Sequence, residues 1–228
     1  MILPHKGDYI DIHTHEGSPG PGLFILENLM AHEGKTPGKE AGLIYSVGIH
    51  PWHLDESNYH KLVDFTRQTA VNRWVYAIGE AGFDKLKGAS PELQRKAFGE
   101  QVNISEELEK PLIIHCVKAW NELLSVHRKL KPKMPWLVHG FRGKRELALQ
   151  LISRNMYLSF WFDFIMRPES SELVRSLPLE RIFLESDGAG IDIRDLYKKV
   201  AADLELEQDA LKDQIMRNFM QFFNIRES

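Results

Sequence analysis

Six residues of the kinds that bind divalent cations stand far apart along the chain: His13, His15, Glu80, His115, His139 and Asp187. Each falls at the downstream end of a short apolar run, in "YIDIHTH", "WVYAIGE", "PLIIHC", "PWLVHG" and "RIFLESD". Successive side chains of a β-strand face opposite ways, so Asp11, His13 and His15 share one side while Ile12 and Thr14 share the other. Polar groups gathered there are costly to bury unless they are hydrogen-bonded or bound to something. Independent core histidines would not be expected to choose the same strand edge repeatedly. Nitrogen and oxygen donors brought by separate strands to one rim can hold one or two cations with positions left open for water. Such a cation polarises a phosphoryl or carbonyl oxygen and brings the pKa of a water down towards neutrality. The donor set suits Zn, Mn or a mixed site, with Mg served mainly by the carboxylates and water.

The elements that must carry these residues follow from the hydrophobic rhythm. Short apolar runs alternate with segments of helical period, the pattern of a βα protein with a parallel sheet. Besides the five runs above, "LFILENL", "GLIYSVGIH" and "MYLSFWF" read as strands, making eight. Helices are expected over 57–72, 91–109, 119–130, 143–154 and 168–176, the second entered through Ser90 as cap with Pro91 in its first turn. A terminal helix sets Leu211, Ile215, Phe219 and Phe222 along one stripe. The expected fold is an α/β TIM (β/α)8 barrel, distorted or shortened in its first two βα units. There, the stretches before "LFILENL" and "GLIYSVGIH" leave little room for a crossover helix.

Composition narrows the classes. With 228 residues, 43% hydrophobic and 27% charged, the chain is expected to form a single domain over 1–228. A formal net charge of -3 argues against holding long duplexes by bulk electrostatics. No run approaches the roughly 18 apolar residues of a membrane helix, and "MILPHKGDY" has neither the apolar core nor the cleavage site of a signal peptide. Cys116 is the one cysteine, which precludes an internal disulfide and agrees with a reducing compartment. A cytoplasmic protein is expected, with no membrane association and no obligate protein partner.

In order and spacing, the motifs "DIHTH", "GIHPW", "GEAGFD", "PLIIHC", "HGFRG" and "LESD" resemble those of the TatD family of metal-dependent deoxyribonucleases, among the amidohydrolase-like barrels. The likeness runs from residue 8 to the terminal segment "IMRNFMQFF". It implies that His13, His15 and Asp187 hold one cation and His115 and His139 a second, with Glu80 bridging. It also implies substrate contacts from His50 and Asp84. By its chemistry Asp187 is the natural proton acceptor, with Glu80 and His50 completing the candidate catalytic set, and Arg142, at the start of a helix after His139, could meet a phosphodiester. The implied cofactors are one or two divalent ions (Mg, Mn or Zn). The implied reaction is cleavage of DNA phosphodiester bonds by an activated water, working from a single-stranded 3' end or on a small phosphoester.

Each of these residues also has a plainer reading. His50, between Gly48 and "PW", could stabilise a turn; Asp84 could cap a loop; Asp187 could cap a helix; Arg142, Lys144 and Arg145 could form a solvated face. Asp11 and Glu185 share strand parity with His13 and Asp187, as orienting residues or partners of a basic neighbour. Cys116 alternates away from His115 and is expected to be a small apolar residue. His5, His32, His53, His60 and His127 are expected at the surface.

The chain departs from the family pattern where substrate would bind. Val117 stands where the family usually has arginine, Trp161 and Phe162 replace a small residue and glycine, and "GAGIDIRDLYKKVAADL" replaces a Pro-rich loop, with Arg194 as a partial substitute. Two other functions therefore stay in view: hydrolysis of a small amide, lactone or ester, and a metal-holding scaffold without catalysis.

Overall fold

The computed structural model describes residues 2–225. All eight expected strands form: β1 (Tyr9–Thr14), β2 (Leu23–Met30), β3 (Leu43–Gly48), β4 (Val75–Asp84), β5 (Leu112–Val117), β6 (Trp136–Val138), β7 (Met156–Phe160) and β8 (Ile182–Leu184). They belong to one sheet whose strand order is the chain order. β1 pairs with β2, β3 with β4, β4 with β5 and β7 with β8, all parallel. The last strand comes back to the first: the Ser186 amide donates to Asp11 Oδ1 at 3.0 Å and the Asp187 amide to the His13 carbonyl at 3.2 Å. This is the (β/α)8 barrel class. Most strands are buried along nearly their whole length, as expected of a sheet with both faces covered.

The helices are α1 (Tyr59–Ala70), α2 (Pro91–Leu108), α3 (Trp120–Leu130), α4 (Arg145–Ile152), α5 (Phe162–Ile165), α6 (Pro168–Arg175), α7 (Ile193–Asp203) and α8 (Gln208–Phe222). As expected, β1 leads to β2 with no helix, and β2 leads to β3 through only a 3-10 turn at Ala31–Glu33. Ser90 Oγ accepts the Leu93 amide at 3.3 Å and so caps α2. In α8, Leu211, Ile215, Phe219 and Phe222 are all buried, each contributing on the order of 2 kcal/mol. Asn218 on the same helix donates to the carbonyls of Leu179 and Ile182, each at 2.8 Å, fixing α8 against the entry to β8.

Two local expectations are corrected. "MYLSFWF" does not stay extended to Phe162: β7 ends at Phe160, and Phe162 opens α5. β8 pairs residue for residue with Leu158–Phe160, and the Glu185 amide donates to the Phe160 carbonyl at 3.0 Å as the last bond of the ladder. The replaced loop after Asp187 is also more than a loop. It leads into α7, capped by Asp192, whose Oδ1 accepts the Arg194 amide at 3.0 Å.

The chain divides into two compact units. The first comprises Asn28–Lys39 and Ile44–Leu137; the second comprises Ile2–Glu27, Glu40–Leu43 and the chain from Val138 onward. Among the described residues no helix is long and apolar enough to cross a membrane.

Candidate metal centre

In the second unit, β1 and the turn after β8 bring His13, His15 and Asp187 together. The Nε2 atoms of His13 and His15 each lie 3.7 Å from Asp187 Oδ1. That is too long for a hydrogen bond. It is close to the separation of about 3.4 Å between two ligands placed about 2.1 Å from one tetrahedral cation. The donor types and spacing therefore fit a divalent ion held by these residues. Asp187 takes a left-handed backbone conformation, φ 51°, which Asp tolerates better than most residues.

His139 belongs to the same neighbourhood: its ring centre is 4.4 Å from that of His13, and it forms a donor cluster with Glu185 and Asp187. Its Nδ1 lies 3.5 Å from Glu185 Oε1. Glu185 is fully buried and accepts the Gly140 amide at 2.7 Å and the Ser159 hydroxyl. Asp11 accepts the Ser186 hydroxyl at 2.6 Å as well as its amide. Burial pushes the Asp11 carboxyl up to about 7, against those two hydrogen bonds, which lower it. The hydrogen bonds of both acids go to backbone amides and serine hydroxyls. Alongside opens a cleft of about 460 Å³ lined by Asp11, Thr14, His15, Ser186, Asp192 and Arg194. Arg194 is anchored there by Asp192 and by the Pro21 carbonyl at 2.8 Å.

In the first unit, β3, β4 and β5 place His50, Glu80, Asp84 and His115 together, all buried. Glu80 Oε1 lies 2.8 Å from His115 Nδ1 and 3.2 Å from His50 Nε2. His115 Nε2 lies 3.3 Å from Asp84 Oδ2. His50 Nδ1 accepts the Trp52 amide at 3.1 Å, so the neutral ring carries its proton on Nε2 and directs it at Glu80. His50 is therefore both turn-stabilising and part of the cluster. Asp84 accepts the Trp52 indole at 2.6 Å and the amides of Leu86 and Lys87. Burial raises its pKa, but these hydrogen bonds together with His115 outweigh it and the net shift is downward. β4 approaches β5 this closely because Gly82 (φ 156°) has no side chain; a Cβ there would sit 1.9 Å from the His115 carbonyl oxygen.

Several supporting residues carried no local sequence signal. Asn28 Oδ1 accepts the Glu80 amide at 2.6 Å and the Ser46 hydroxyl at 3.1 Å. On the buried face of α2, Gln94 grips the backbone of Asp84 through both its N–H and carbonyl, and Gln101 does the same to Ile49, next to His50. Among the other candidates, Arg142 is half exposed, with its guanidinium 4.4 Å from the Trp161 ring centre and 3.6 Å from Asp163. Trp161 and Phe162 are half-buried. Cys116 is also half-buried, and burial pushes its thiol up to about 12. His5, His32, His53 and His60 are exposed, while His127 packs edge-on to Trp136.

The model of the family described as TatD-related DNase matches residues 31–224. The chain belongs to that family. It is 30% identical over 204 residues to a Citrobacter koseri protein called 3'-5' ssDNA/RNA exonuclease TatD, covering 86% of this chain and 78% of that one. It is 27% identical over 162 residues to the Schizosaccharomyces pombe protein called deoxyribonuclease Tat-D, covering 65% of this chain. That match spans about half, 52%, of the fission-yeast protein. A solved TatD homologue from Escherichia coli K12 superposes with a TM-score of 0.77 at 17% identity, over 97% of this chain and all of the other. The structural likeness shows the shared barrel fold.

Proposed function

We propose that this TatD-family chain is a divalent-metal-dependent hydrolase of phosphodiester bonds that acts on single-stranded nucleic acid ends. The observation that carries the reading is the pair of imidazole nitrogens, His13 and His15 Nε2, equidistant at 3.7 Å from one oxygen of Asp187. The names borne by the Citrobacter and fission-yeast relatives point to the same substrate class.

In this reading His13, His15, Asp187 and His139 form one donor set, and Glu80 and His115 belong to another. A bound divalent ion would supply Lewis acidity to a phosphate oxygen and to a water. Asp187, partly open to solvent, would take the proton that the attacking water gives up as its oxygen bonds to phosphorus and the ester P–O bond breaks. Glu185, its Oε1 3.5 Å from His139 Nδ1, is the carboxylate that would orient that ring when His139 binds a cation. His50, its Nδ1 occupied by the Trp52 amide, steadies Glu80 through Nε2. Asp84 accepts four hydrogen-bond partners and acts by holding Trp52 and His115. The cleft beside His15 is large enough for a nucleotide-sized ligand, and Arg194 offers it a guanidinium for phosphate. Cys116 as a lone, unpaired cysteine supports a reducing cytoplasm as the place of work.

The test is hydrolysis of bis(p-nitrophenyl) phosphate and of a single-stranded oligonucleotide. Chelation abolishes both activities, Mg, Mn or Zn restores them, and Asp187→Asn lowers kcat by about a hundredfold or more. A pure, metal-loaded sample that leaves every phosphoester intact ends the proposal.

A further inference from the structure

Trp52 is 41% exposed, an unusual position for an indole so heavily anchored. Its indole N–H donates to the buried Asp84 at 2.6 Å, and its backbone amide donates to His50. The 3-10 turn that carries it, Pro51–His53, is pinned to the loop after β4, where the Ala89 amide donates to the Pro51 carbonyl at 3.1 Å. Gly88, at φ 99°, makes that contact possible; a Cβ there would stand 2.2 Å from the Pro51 oxygen. Folding stability does not call for such rigidity in a side chain left in water. It is what a recognition surface needs, because an aromatic plane fixed in advance loses little entropy when a ligand covers it.

The neighbours of the ring define the ligand. His50 and His115 meet it edge-to-face, with ring centres 4.9 and 5.7 Å away. The ammonium of Lys87, an exposed residue, rests 3.9 Å from the indole centre. A flat aromatic surface with a flexible cation over it and His115 5.7 Å away matches a nucleotide better than a protein side chain. The base has a π-face to stack, and its phosphate has a cation to meet.

We propose that Trp52 is a base-stacking residue: a nucleobase of the single-stranded substrate lies on the indole and displaces the Lys87 ammonium towards the adjoining phosphate. This rests on the nuclease reading above and adds to it the residue that senses whether a base is present. Stacking of this kind is sequence-tolerant, since every base offers a face.

The experiment compares wild type, Trp52→Leu and Trp52→Phe on a short oligothymidylate and on the same strand carrying abasic terminal nucleotides, with folding checked by thermal melting. The expected result is that wild type prefers the base-bearing strand. Trp52→Leu raises KM on that strand about tenfold to a hundredfold more than on the abasic strand, so the preference disappears, while any cost of the lost Asp84 bond falls on both strands alike and is shared by Trp52→Phe. Trp52→Phe, which keeps a ring but cannot bond Asp84, retains most of the preference. If Trp52→Leu keeps the wild-type preference, or if both variants slow both strands equally, stacking is refuted while the hydrolase reading stands. If wild type cleaves neither strand, the nuclease reading itself fails and this proposal falls with it.

Discussion

Replacing Gln101 with Leu tests whether the site is held from behind by α2. Gln101 is 1% exposed; its Oε1 accepts the Ile49 amide at 2.7 Å, and its side-chain N–H groups donate to the carbonyls of Ile49 at 3.2 Å and Ala97 at 3.4 Å. Ala97 lies within α2, whereas Ile49 sits between β3 and the turn bearing His50, so the two Ile49 bonds are the ones at stake. Leu fills a similar volume and removes both, leaving a buried amide and carbonyl each short of a partner at about 1–3 kcal/mol. The apolar gain from Leu returns about 1 kcal/mol. A net loss of about 1–5 kcal/mol is expected, or a fall in Tm of about 2–20 °C for a chain of this size. Urea denaturation measures the first and a thermal melt the second. Well below the lowered Tm, hydrolysis should fall further than the folded fraction does, because the Ile49 backbone next to His50 is no longer held. A stability change under about 0.5 kcal/mol refutes the claim that Gln101 positions this segment.

Other outcomes follow from the same geometry. Glu185→Gln keeps the shape but weakens the carboxylate that faces His139 Nδ1, so divalent-metal affinity measured by titration should drop about 10- to 100-fold with folding retained; unchanged affinity removes Glu185 from the positioning scheme. Burial lowers the Lys110 ammonium to about 8 from its usual 10.5, while it donates to the carbonyls of Ala70 and Asn72. Between those pH values the unfolded chain holds more protons than the folded one, so wild-type stability relative to Lys110→Met should rise as pH climbs from 8 to 10.5; a flat or falling difference contradicts the burial argument. Cys116, its thiol raised to about 12, should resist iodoacetamide at pH 8 in the native protein and react once the chain is unfolded. Rapid native labelling, followed by mass spectrometry, disproves its inertness.

The barrel was largely legible because each strand is a compact apolar run and six of the eight runs end on or next to a conspicuous polar residue, "LFILENL" and "MYLSFWF" being the exceptions. Histidine at the end of "PLIIH" or "PWLVH" stands out against its neighbours, so the candidate donors could be located without any knowledge of pairing. What escaped notice depended on contacts made at long sequence range. Gln94 and Gln101 look like ordinary helix residues; only the approach of Asp84 and Ile49 turns them into backbone clamps. Asn28 sits in "LFILENLM", where its meaning comes from the Glu80 amide. α5 is a single turn of four residues, too short to show a periodicity of its own. α7 is different: Asp192 as cap with Ile193, Leu196, Tyr197, Val200 and Ala201 at helical spacing is a local signal that needs no distant partner.

The two donor sets are supported by different physics, and this bears on how each would respond to change. Around Asp187, the supports are buried acids, Asp11 and Glu185, held by Ser186, Ser159 and the Gly140 amide. Charge there is expensive unless compensated, which the raised Asp11 pKa registers directly. Around Glu80, the supports are neutral amides, from Asn28, Gln94 and Gln101, that bond backbone and, for Asn28, also the Ser46 hydroxyl. A cation that neutralises Asp187 would relieve the repulsion between Asp11 and its acidic neighbour Glu185 only weakly, but it would balance the local negative charge that burial makes costly. The Glu80 cluster already pairs its carboxylates with imidazole and indole N–H groups. Divalent metal should therefore stabilise the fold chiefly through the His13–His15–Asp187 set, and Asp187→Ala should abolish more of the metal-induced rise in Tm than His115→Ala does.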